Sequence, residues 1–348
     1  MCDTNRQSDA HHRLVVKSES KVDLSVIVPC FNEATVLPLL QPRLHKVLEA
    51  LQESWEVVLI DDGSIDATLD QLREMHTADP RFKVLSFSRN FGHQAAISAG
   101  LRYVSGRVVA IIDADLQDPP EILSTGLDLL RQGYDVVYAV RRKRKEGLLK
   151  RTAYLTFYQL LKAVAEIDIP LHAGDFCLMT RRVVDVLVAM PERNPFIRGL
   201  RAWAGFRQIG LEYDRAARAA GETKYSFAKL WKLATDGVFS FSILPLRVSA
   251  YLGFSAVALA GSAGLFLILW RVLGFRFMGH TATELPGWTA MVATVLFLSG
   301  LQLLILGIIG EYLGRIYSEV KHRPAWILKE QLGLPKAFNQ EGGGYHSD

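Results

Sequence analysis

Carboxylate side chains follow three short apolar runs of the sequence. Pro29-Cys-Phe-Asn-Glu33 follows the first run, Asp61-Asp-Gly-Ser64 the second, and Asp113-Ala-Asp-Leu-Gln-Asp-Pro-Pro-Glu121 a later one. Carboxylates in such places accept hydrogen bonds from ribose hydroxyls or base N–H groups, or hold a hard divalent cation that bridges phosphates. Asp113 and Asp115 are spaced to point the same way from an extended segment, and Gln117 continues that face.

The elements that must position these side chains are short apolar strands alternating with helices. The predicted strands are rich in β-branched residues and lie at Leu24–Pro29, Val57–Ile60, Val84–Phe87, Val108–Ile112 and Val136–Val140. Amphipathic patterns predict helices over Leu37–Leu51 and Thr68–Met75 between them. This alternation predicts an α/β fold with a mostly parallel sheet covered on both faces. In such folds ligands bind beyond the carboxyl ends of the strands.

Several functional classes are disfavoured by what the sequence lacks. No Gly-x-Gly-x-x-Gly follows the first strand and no Gly-x-x-x-x-Gly-Lys-Ser/Thr is present, which disfavours a dinucleotide oxidoreductase and a P-loop nucleotidase. The net charge of +4 is too small to indicate nucleic acid as a partner. Cys2, Cys30 and Cys177 form neither a disulfide framework nor a zinc spacing, which favours a reducing compartment. The polar residues 1–22 lack the apolar core of a signal peptide and predict a flexible cytosolic N-terminus.

Two later segments predict membrane spans. Val248–Trp270 and Trp288–Gly310 are 23 residues each and contain no Asp, Glu, Lys, Arg or His. Each helix would span roughly 35 Å, enough for a bilayer core of about 30 Å. The alternative is a pair of buried helices in a second soluble domain. A mean hydropathy of +0.14 fits a chain that is part soluble and part membrane-bound.

Basic flanks predict the orientation of these spans. The connecting loop contributes only Arg271 and Arg276, whereas the outer flanks carry Lys229, Lys232, Arg247, Arg315, Lys321, Arg323 and Lys329. This bias places both termini in the cytoplasm, with a hairpin inserted in the inner membrane and a short external loop. Two further amphipathic stretches, 148–164 and 227–244, lie beside basic residues. They are either helices in the lipid interface or ordinary helices packed on the sheet.

The strand-end motifs, taken in order, resemble those of glycosyltransferase family 2. Its polyprenyl-phosphate branch, which includes dolichol-phosphate mannose synthases and bactoprenol glucosyltransferases, is matched further by three strings: Arg89-Asn-Phe-Gly-His-Gln-Ala-Ala96, Gly174-Asp-Phe-Cys-Leu-Met179 and Gly221-Glu-Thr-Lys-Tyr-Ser226. The resemblance covers roughly Leu24 to Arg323. It implies a GT-A catalytic domain over 23–226, an interface helix over 227–247 and spans at 248–270 and 288–310. An external loop (271–287) then joins the spans, and a cytoplasmic tail (311–348) follows them.

The resemblance also implies roles for individual residues. It assigns nucleotide-sugar binding to Pro29, Phe31, Glu33, Asp62, Asp113, Ala114 and Arg141. A Mg²⁺ or Mn²⁺ ion would be held by Asp113, Asp115 and Gln117, and the catalytic groups would be Asp115 and Asp175, the latter as a base or as a group that positions the acceptor. Arg218 and Lys224 would hold diphosphate or lipid phosphate. Many members carry tyrosine at the place of Phe31 and arginine at that of Cys177, so a hydroxyl and a cation are missing here.

Several of these residues have simpler structural interpretations. Asp61 could brace its loop or cap a helix, and Asn32 could be a turn residue. Asp118 and Glu121 are expected to start a helix after Pro119-Pro120 rather than bind a metal. His93 is expected to make local hydrogen bonds rather than act in catalysis. The basic run 142–145 is expected to be a membrane-surface patch.

The implied reaction is inverting transfer of a sugar from a nucleoside diphosphate sugar, with a UDP-hexose such as UDP-glucose expected, to a polyprenyl phosphate in the lipid bilayer for cell-envelope glycan modification. A processive polysaccharide synthase is one alternative, disfavoured because Arg201-Ala-Trp203 is not a Gln-x-x-Arg-Trp motif and two spans form no polymer channel. A catalytically inactive nucleotide-sugar-binding membrane module is another, disfavoured by the intact Asp-x-Asp. Small residues such as Gly261 and Gly264 permit a homo-oligomer.

Overall fold

A computed structural model describes residues 22–141, 173–190, 192, 196–213, 244–274, 287–321 and 323–335. The strands are β1 (Leu24–Cys30), β2 (Trp55–Asp61), β3 (Phe82–Phe87), β4 (Val108–Ile111), β5 (Val136–Arg141), β6 (Ala173–Thr180), β7 (Gln208–Tyr213) and β8 (Leu328–Leu332). The helices are α1 (Leu37–Ala50), α2 (Thr68–Ala78), α3 (His93–Tyr103), α4 (Ile122–Arg131), α5 (Arg181–Ala189), α6 (Ile197–Trp203), α7 (Leu244–Leu273) and α8 (Gly287–Val320). The five strands and the helices over Leu37–Leu51 and Thr68–Met75 that the sequence predicts are confirmed, with ends that differ by a few residues.

The eight strands form one sheet in the order β7-β5-β6-β4-β1-β2-β3-β8. Its centre is parallel, as predicted, because β1 pairs with β2 and β4, and β2 pairs with β3. Three pairings are antiparallel: β6 lies between β4 and β5 in the opposite direction, and β8 runs against β3. The sheet is therefore mixed. The three acidic motifs follow β1, β2 and β4, which all belong to its parallel part.

The sheet is buried because its apolar side chains are covered by helices. Every residue of β1 and of β2 is buried, as expected of central strands with helices on their faces. In α1 the buried residues Leu37, Leu40, Leu44 and Leu48 recur at helical spacing and face the core. Burying each such leucine contributes about 1.5–3 kcal/mol, so the core fixes the strand ends relative to one another.

A buried carboxylate organises the amino-terminal end of β2, opposite the acidic motifs. Glu56 accepts hydrogen bonds from the Ser25 hydroxyl, the Ser105 amide and hydroxyl and the Lys83 ammonium at 2.5–2.9 Å. Although burial raises the pKa of Glu56, these hydrogen bonds lower it below its ordinary value. Every one of these contacts favours the ionised form of Glu56. Its carboxylate therefore joins β1, β3 and the segment before β4 at this end of the sheet.

The carboxyl-terminal region returns to the sheet after α8. Residues 328–332 form β8, which pairs with β3 and places Glu330 on Arg73 of α2 at 2.5 Å. The sequence analysis assigned residues 311–348 to a tail and predicted no strand there. A five-residue strand with only a weak apolar pattern gains its stability from the β3 edge, which the local sequence does not reveal.

The chain divides into two compact units, the sheet with its helices and a second unit that contains α7 and α8. Both long helices carry stretches apolar enough and long enough to cross a membrane, Leu246–Leu273 and Phe297–Val320, and neither stretch is buried within the protein. Helix α7 contains the whole predicted span Val248–Trp270, and α8 contains the whole predicted span Trp288–Gly310. Helix α8 continues to Val320, ten residues beyond the predicted end. The predicted interface helix over 148–164 and most of the one over 227–247 lie outside the described residues.

Candidate active site

Strand register brings the acidic motifs to one edge of the sheet. Cys30 at the end of β1 pairs with Asp61 at the end of β2, and Ile27 pairs with Ile111 of β4. The segments that follow these three parallel strands therefore leave the sheet together. Antiparallel β6 enters at the same edge, since Ile111 pairs with Cys177. This register places Asp175, two residues before Cys177, beside Asp113, two residues after Ile111.

Asp113 sits in a poorly solvated position among other carboxylates. Its Oδ1 atom is buried and has no hydrogen-bond partner in the described part of the chain, and His93 Nε2 lies 3.6 Å from it. Burial raises the pKa of Asp113 to about 6, and the charge of Asp175 acts in the same direction. The nearby charge of His93 acts in the opposite direction but does not offset the burial, and a buried carboxylate oxygen without a hydrogen bond suits a cation.

Asp175 is the best-paired acid of the site. Arg198 of α6 donates two charge-assisted hydrogen bonds to it, from Nε to Oδ1 at 2.7 Å and from Nη2 to Oδ2 at 2.8 Å. His93 Nε2 lies 3.4 Å from Oδ2, and the Gln94 amide reaches Oδ1 at 3.5 Å. Burial alone would raise the pKa of Asp175, but Arg198 and His93 hold it well below its usual range. Asp175 is therefore a fixed carboxylate at neutral pH.

His93 connects the two carboxylates rather than making only local contacts. It is the first residue of α3, and its Nε2 faces both Asp113 and Asp175. Although burial lowers the pKa of His93, the hydrogen bond to Asp175 and the charge of Asp113 raise it above its ordinary value. The expectation of a purely local role is incomplete, since His93 belongs to the carboxylate cluster.

The loops after β1, β2 and β3 are held together by side-chain contacts. Asn32, with φ of +55°, accepts from the Ile65 amide at 3.0 Å, which confirms its interpretation as a turn residue. Asp61 accepts from the Ser64 amide and the Ser86 hydroxyl, which confirms that it braces its loop. Asp62 is buried and accepts from the Phe91 and Gly92 amides at 2.7 and 2.9 Å. Asp62 thus anchors the loop after β3.

The Asp-x-Asp segment forms a tight turn after β4. Asp115 is buried, and its Oδ1 accepts from the Gln117 amide at 3.2 Å, while Leu116 between them has φ of +55°. Ala114 is buried against the core. The described residues contain no group of three or more His, Cys, Asp or Glu side chains arranged to hold a metal. Two carboxylates and the Gln117 carboxamide are nevertheless the oxygen donors that a hard cation prefers, and the unpartnered Asp113 oxygen fits one.

The remaining predicted contacts lie around this edge. Pro29 is buried in β1, whereas Phe31 is 40% exposed just beyond it. The Glu33 amide donates to the Thr68 hydroxyl at 2.9 Å, which ties the loop after β1 to the start of α2. Glu121 pairs with Arg43 at 2.8 Å and buried Asp118 bonds to the Tyr213 hydroxyl. Glu121 immediately precedes α4, which confirms the expected helix start after Pro119-Pro120, whereas Asp118 contacts Tyr213 of β7.

Cys177 is buried in β6 under α6. The fully buried guanidinium of Arg201 lies 5.4 Å from the Tyr138 ring centre, and its Nε and Nη2 atoms have no hydrogen-bond partner among the described residues. Burial raises the pKa of the Cys177 thiol, although the Arg201 charge acts in the opposite direction. Arg198 and Arg201, three residues apart on α6, therefore lie over Asp175 and Cys177, two residues apart on β6. The sequence analysis missed this arginine pair; its signal is a helical spacing of two cations in an otherwise apolar segment.

Four predicted contacts cannot be placed. Arg141 ends β5, but its side chain lies outside the described part of the structure. Arg218, Lys224 and the basic run 142–145 also lie outside the described residues. The cluster that the structure brings together is therefore Asp113, Asp115, Asp175, His93 and Arg198.

Comparison with known proteins defines the class. The family model for glycosyl transferase family 2 matches residues 25–188. An uncharacterized glycosyltransferase of Bacillus subtilis, YkcC, is 44% identical over 90% of this chain and 95% of its own length. The chain therefore belongs to glycosyl transferase family 2 and is a glycosyltransferase.

The similarity extends to relatives whose names state an activity. A bactoprenol glucosyl transferase of Shigella phage SfV is 38% identical over 88% of this chain and 98% of its own length. Among solved structures, the mannosyltransferase PcManGT from Pyrobaculum calidifontis, in complex with GDP-Man and Mn²⁺, matches with a TM-score of 0.43 and 20% identity. That match covers 84% of this chain and 87% of the mannosyltransferase.

Proposed function

We propose that the protein transfers a sugar from a nucleoside diphosphate sugar to the phosphate of a membrane polyprenyl phosphate. The observation that carries this proposal is the 38% identity to a bactoprenol glucosyl transferase over 88% of this chain and 98% of that enzyme. The two helices of this chain that are long and apolar enough to cross a membrane fit a membrane acceptor. An acceptor whose phosphate stays at the membrane surface requires a catalytic domain that works there. A UDP-hexose, with glucose first, is the proposed donor.

The donor diphosphate would lie at the Asp-x-Asp turn. Asp113, Asp115 and Gln117 would hold a Mg²⁺ or Mn²⁺ ion, and the unpartnered Asp113 oxygen with its raised pKa favours a cation there. When bound, that ion neutralises the charge that develops on the leaving diphosphate. Pro29, Phe31, Glu33, Asp62, Ala114 and Arg141 would contact the nucleotide sugar from the neighbouring loops.

Asp175 would position the acceptor without taking a proton from it. A phosphate monoester has a second pKa near ~6 and is mostly dianionic at neutral pH, so the nucleophile needs no base. The bidentate Arg198 contact keeps Asp175 ionised and leaves it a poor proton acceptor at neutral pH. In this proposal Asp175 fixes Arg198 and His93, and Arg198 directs positive charge to the acceptor phosphate. Arg218 and Lys224 would add positive charge for the same phosphate or the diphosphate.

The proposed membrane arrangement is a hairpin in the inner membrane with both termini in the cytoplasm. Basic residues concentrate outside the two apolar helices, which favours this orientation. A topology reporter fused after Leu334 is expected to read cytoplasmic, and a cysteine placed at Thr281 is expected to react with an impermeant reagent from outside. If both positions report the same side, the hairpin is wrong.

The function is tested by product analysis with purified full-length protein. The protein is incubated with a short polyprenyl phosphate and each member of a panel of labelled nucleotide sugars. The lipid product is then extracted, and its mass is determined by mass spectrometry. The expected product is one sugar on one polyprenyl phosphate, with inverted anomeric configuration. A ladder of longer glycans would instead identify a processive synthase. Nucleotide-sugar binding without any product would identify a binding module.

A further inference from the structure

The carboxyl-terminal segment that follows α8 contacts the sheet at a specific place. Residues 326–332, called the C-terminal strap, include β8, which pairs with β3 from Val84–Leu332 to Phe87–Leu328. One more hydrogen bond continues the pairing past the end of β3, from the Ser88 amide to the Ile327 carbonyl at 2.9 Å. The strap therefore reaches the first residue of the loop between β3 and α3.

Aromatic contacts extend this connection into the loop. Trp326 stacks on Phe87, with ring centres 6.3 Å apart and planes inclined by 15°, and Arg102 covers the same indole at 5.2 Å. Phe87 in turn meets Phe91 edge to face at 5.8 Å. Because Phe87 is almost fully buried, the Trp326 ring and the Phe91 ring pack on one fixed side chain.

Phe91 belongs to the part of the loop that the candidate site uses. The amides of Phe91 and Gly92 bind the buried carboxylate of Asp62, and the next residue is His93 of the carboxylate cluster. The loop also packs closely on the loop after β2. A Cβ atom on Gly63 would lie 2.3 Å from the Arg89 carbonyl carbon, so the two backbones touch there.

We propose that Trp326 of the C-terminal strap is a positioning residue for the loop 88–92 of the donor site, acting through Phe87 and Phe91. This inference rests on the proposed function for its kinetic consequence. Covering the exposed edge of β3 would by itself require only β8. Trp326 lies outside β8 and packs on Phe87, which in turn contacts Phe91. A chain of contacts therefore links Trp326 to the loop whose amides bind Asp62.

Three variants of the full-length protein test this role. Trp326→Leu removes the aromatic face but keeps apolar volume, and Trp326→Phe restores a ring. Ile327→Ala is the matched control, because its side chain is 53% exposed and its carbonyl still accepts from Ser88. The measurements are KM and kcat with UDP-glucose at saturating polyprenyl phosphate, and hydrogen exchange of the peptide that spans residues 88–93.

Trp326→Leu is expected to raise the KM for UDP-glucose by about three- to tenfold with kcat within about twofold, the size expected for a lost aromatic pair. Exchange of the Phe91 and Gly92 amides should accelerate, and Trp326→Phe should recover most of both effects. Ile327→Ala should match the wild type. The inference is overturned if Trp326→Leu and Ile327→Ala behave alike, or if exchange at 88–93 is unchanged in Trp326→Leu. If the wild type transfers no sugar, the proposed function fails. The exchange data still decide whether Trp326 positions the loop 88–92.

Discussion

The ion pair between Asp175 and Arg198 gives the sharpest test of the proposed chemistry. Asp175→Asn removes the negative charge with little change of shape, and Arg198→Gln removes the guanidinium. If Asp175 acts through Arg198, the two residues form one unit, and the double variant should be little worse than either single variant. If Asp175 is an independent base, the two losses should multiply.

The expected magnitude follows from the geometry of the pair. Two charge-assisted hydrogen bonds at 2.7 and 2.8 Å join the side chains, of which Arg198 is 32% exposed and Asp175 is 12% exposed. Each bond contributes about 1.5–3 kcal/mol when buried, and partial exposure favours the lower end. A total of about 3 kcal/mol corresponds to a loss of about 150-fold in kcat/KM for each single variant. The double variant should then lie within about threefold of the worse single variant.

The assay is transfer of labelled sugar to a short polyprenyl phosphate, with the concentrations of donor and acceptor varied separately. Arg182→Gln is the matched control. Arg182 binds Asp135 in the same bidentate way, with its Nε 2.7 Å from Oδ1, and its side chain is 66% exposed. It lies beyond the end of β6 that is opposite to Asp175. Its kcat/KM should stay within about twofold of the wild type, because this pair lies at the end of β6 away from the carboxylate cluster. A double variant that loses the product of the two single losses, about 10⁴-fold, refutes the reasoning.

Three further predictions concern the proposed cation, the buried carboxylate of Glu56 and the loop after β2. Asp115→Asn should lower turnover by about 100-fold or more while the melting temperature stays near that of the wild type, and undiminished wild-type activity in EDTA would contradict the role of a cation. Glu56→Gln should lower the free energy of unfolding by about 2 kcal/mol at neutral pH, as measured by denaturant titration. Because the pKa of Glu56 is lowered from 4.5 in the folded protein, the deficit should be full above pH 4.5 and shrink as the pH falls through the depressed value; a pH-independent deficit would contradict this. Gly63→Ala combines a φ of +68° with a Cβ 2.3 Å from the carbonyl carbon of Arg89, so KM for the donor should rise by about tenfold. The control is Gly133→Ala, with φ of +92° and its nearest atom at 3.6 Å, which should lose stability by about 1 kcal/mol and keep its KM.

Much of the site could be predicted because its parts are local in sequence. Asp113, Asp115 and Gln117 follow directly after a strand that the apolar pattern makes recognisable. The prediction that they share one face of an extended segment is wrong, because the segment forms a tight turn with Leu116 at φ of +55° and the Gln117 amide bound to Asp115. The motif at Asp61 and Asp62 likewise follows a predicted strand, although the sequence could not tell that Asp62 binds the amides of the loop after β3. That role depends on which loop lies next to it, and strand order decides this.

The sequence by itself determined β1 to β5, α1, α2, the two apolar helices and the positions of the acidic motifs, because each depends on side-chain periodicity over a short stretch. Only the tertiary structure decided which cation pairs with Asp175. Asp175 lies on β6, whose antiparallel pairing with β4 the sequence did not predict, and Arg198 lies on α6, which contains none of the recognised motifs. The same is true of β8, whose pairing with β3 joins residues separated by most of the chain. Such contacts depend on packing between distant segments, and no local pattern of residue types encodes a partner that the chain meets only after it has folded.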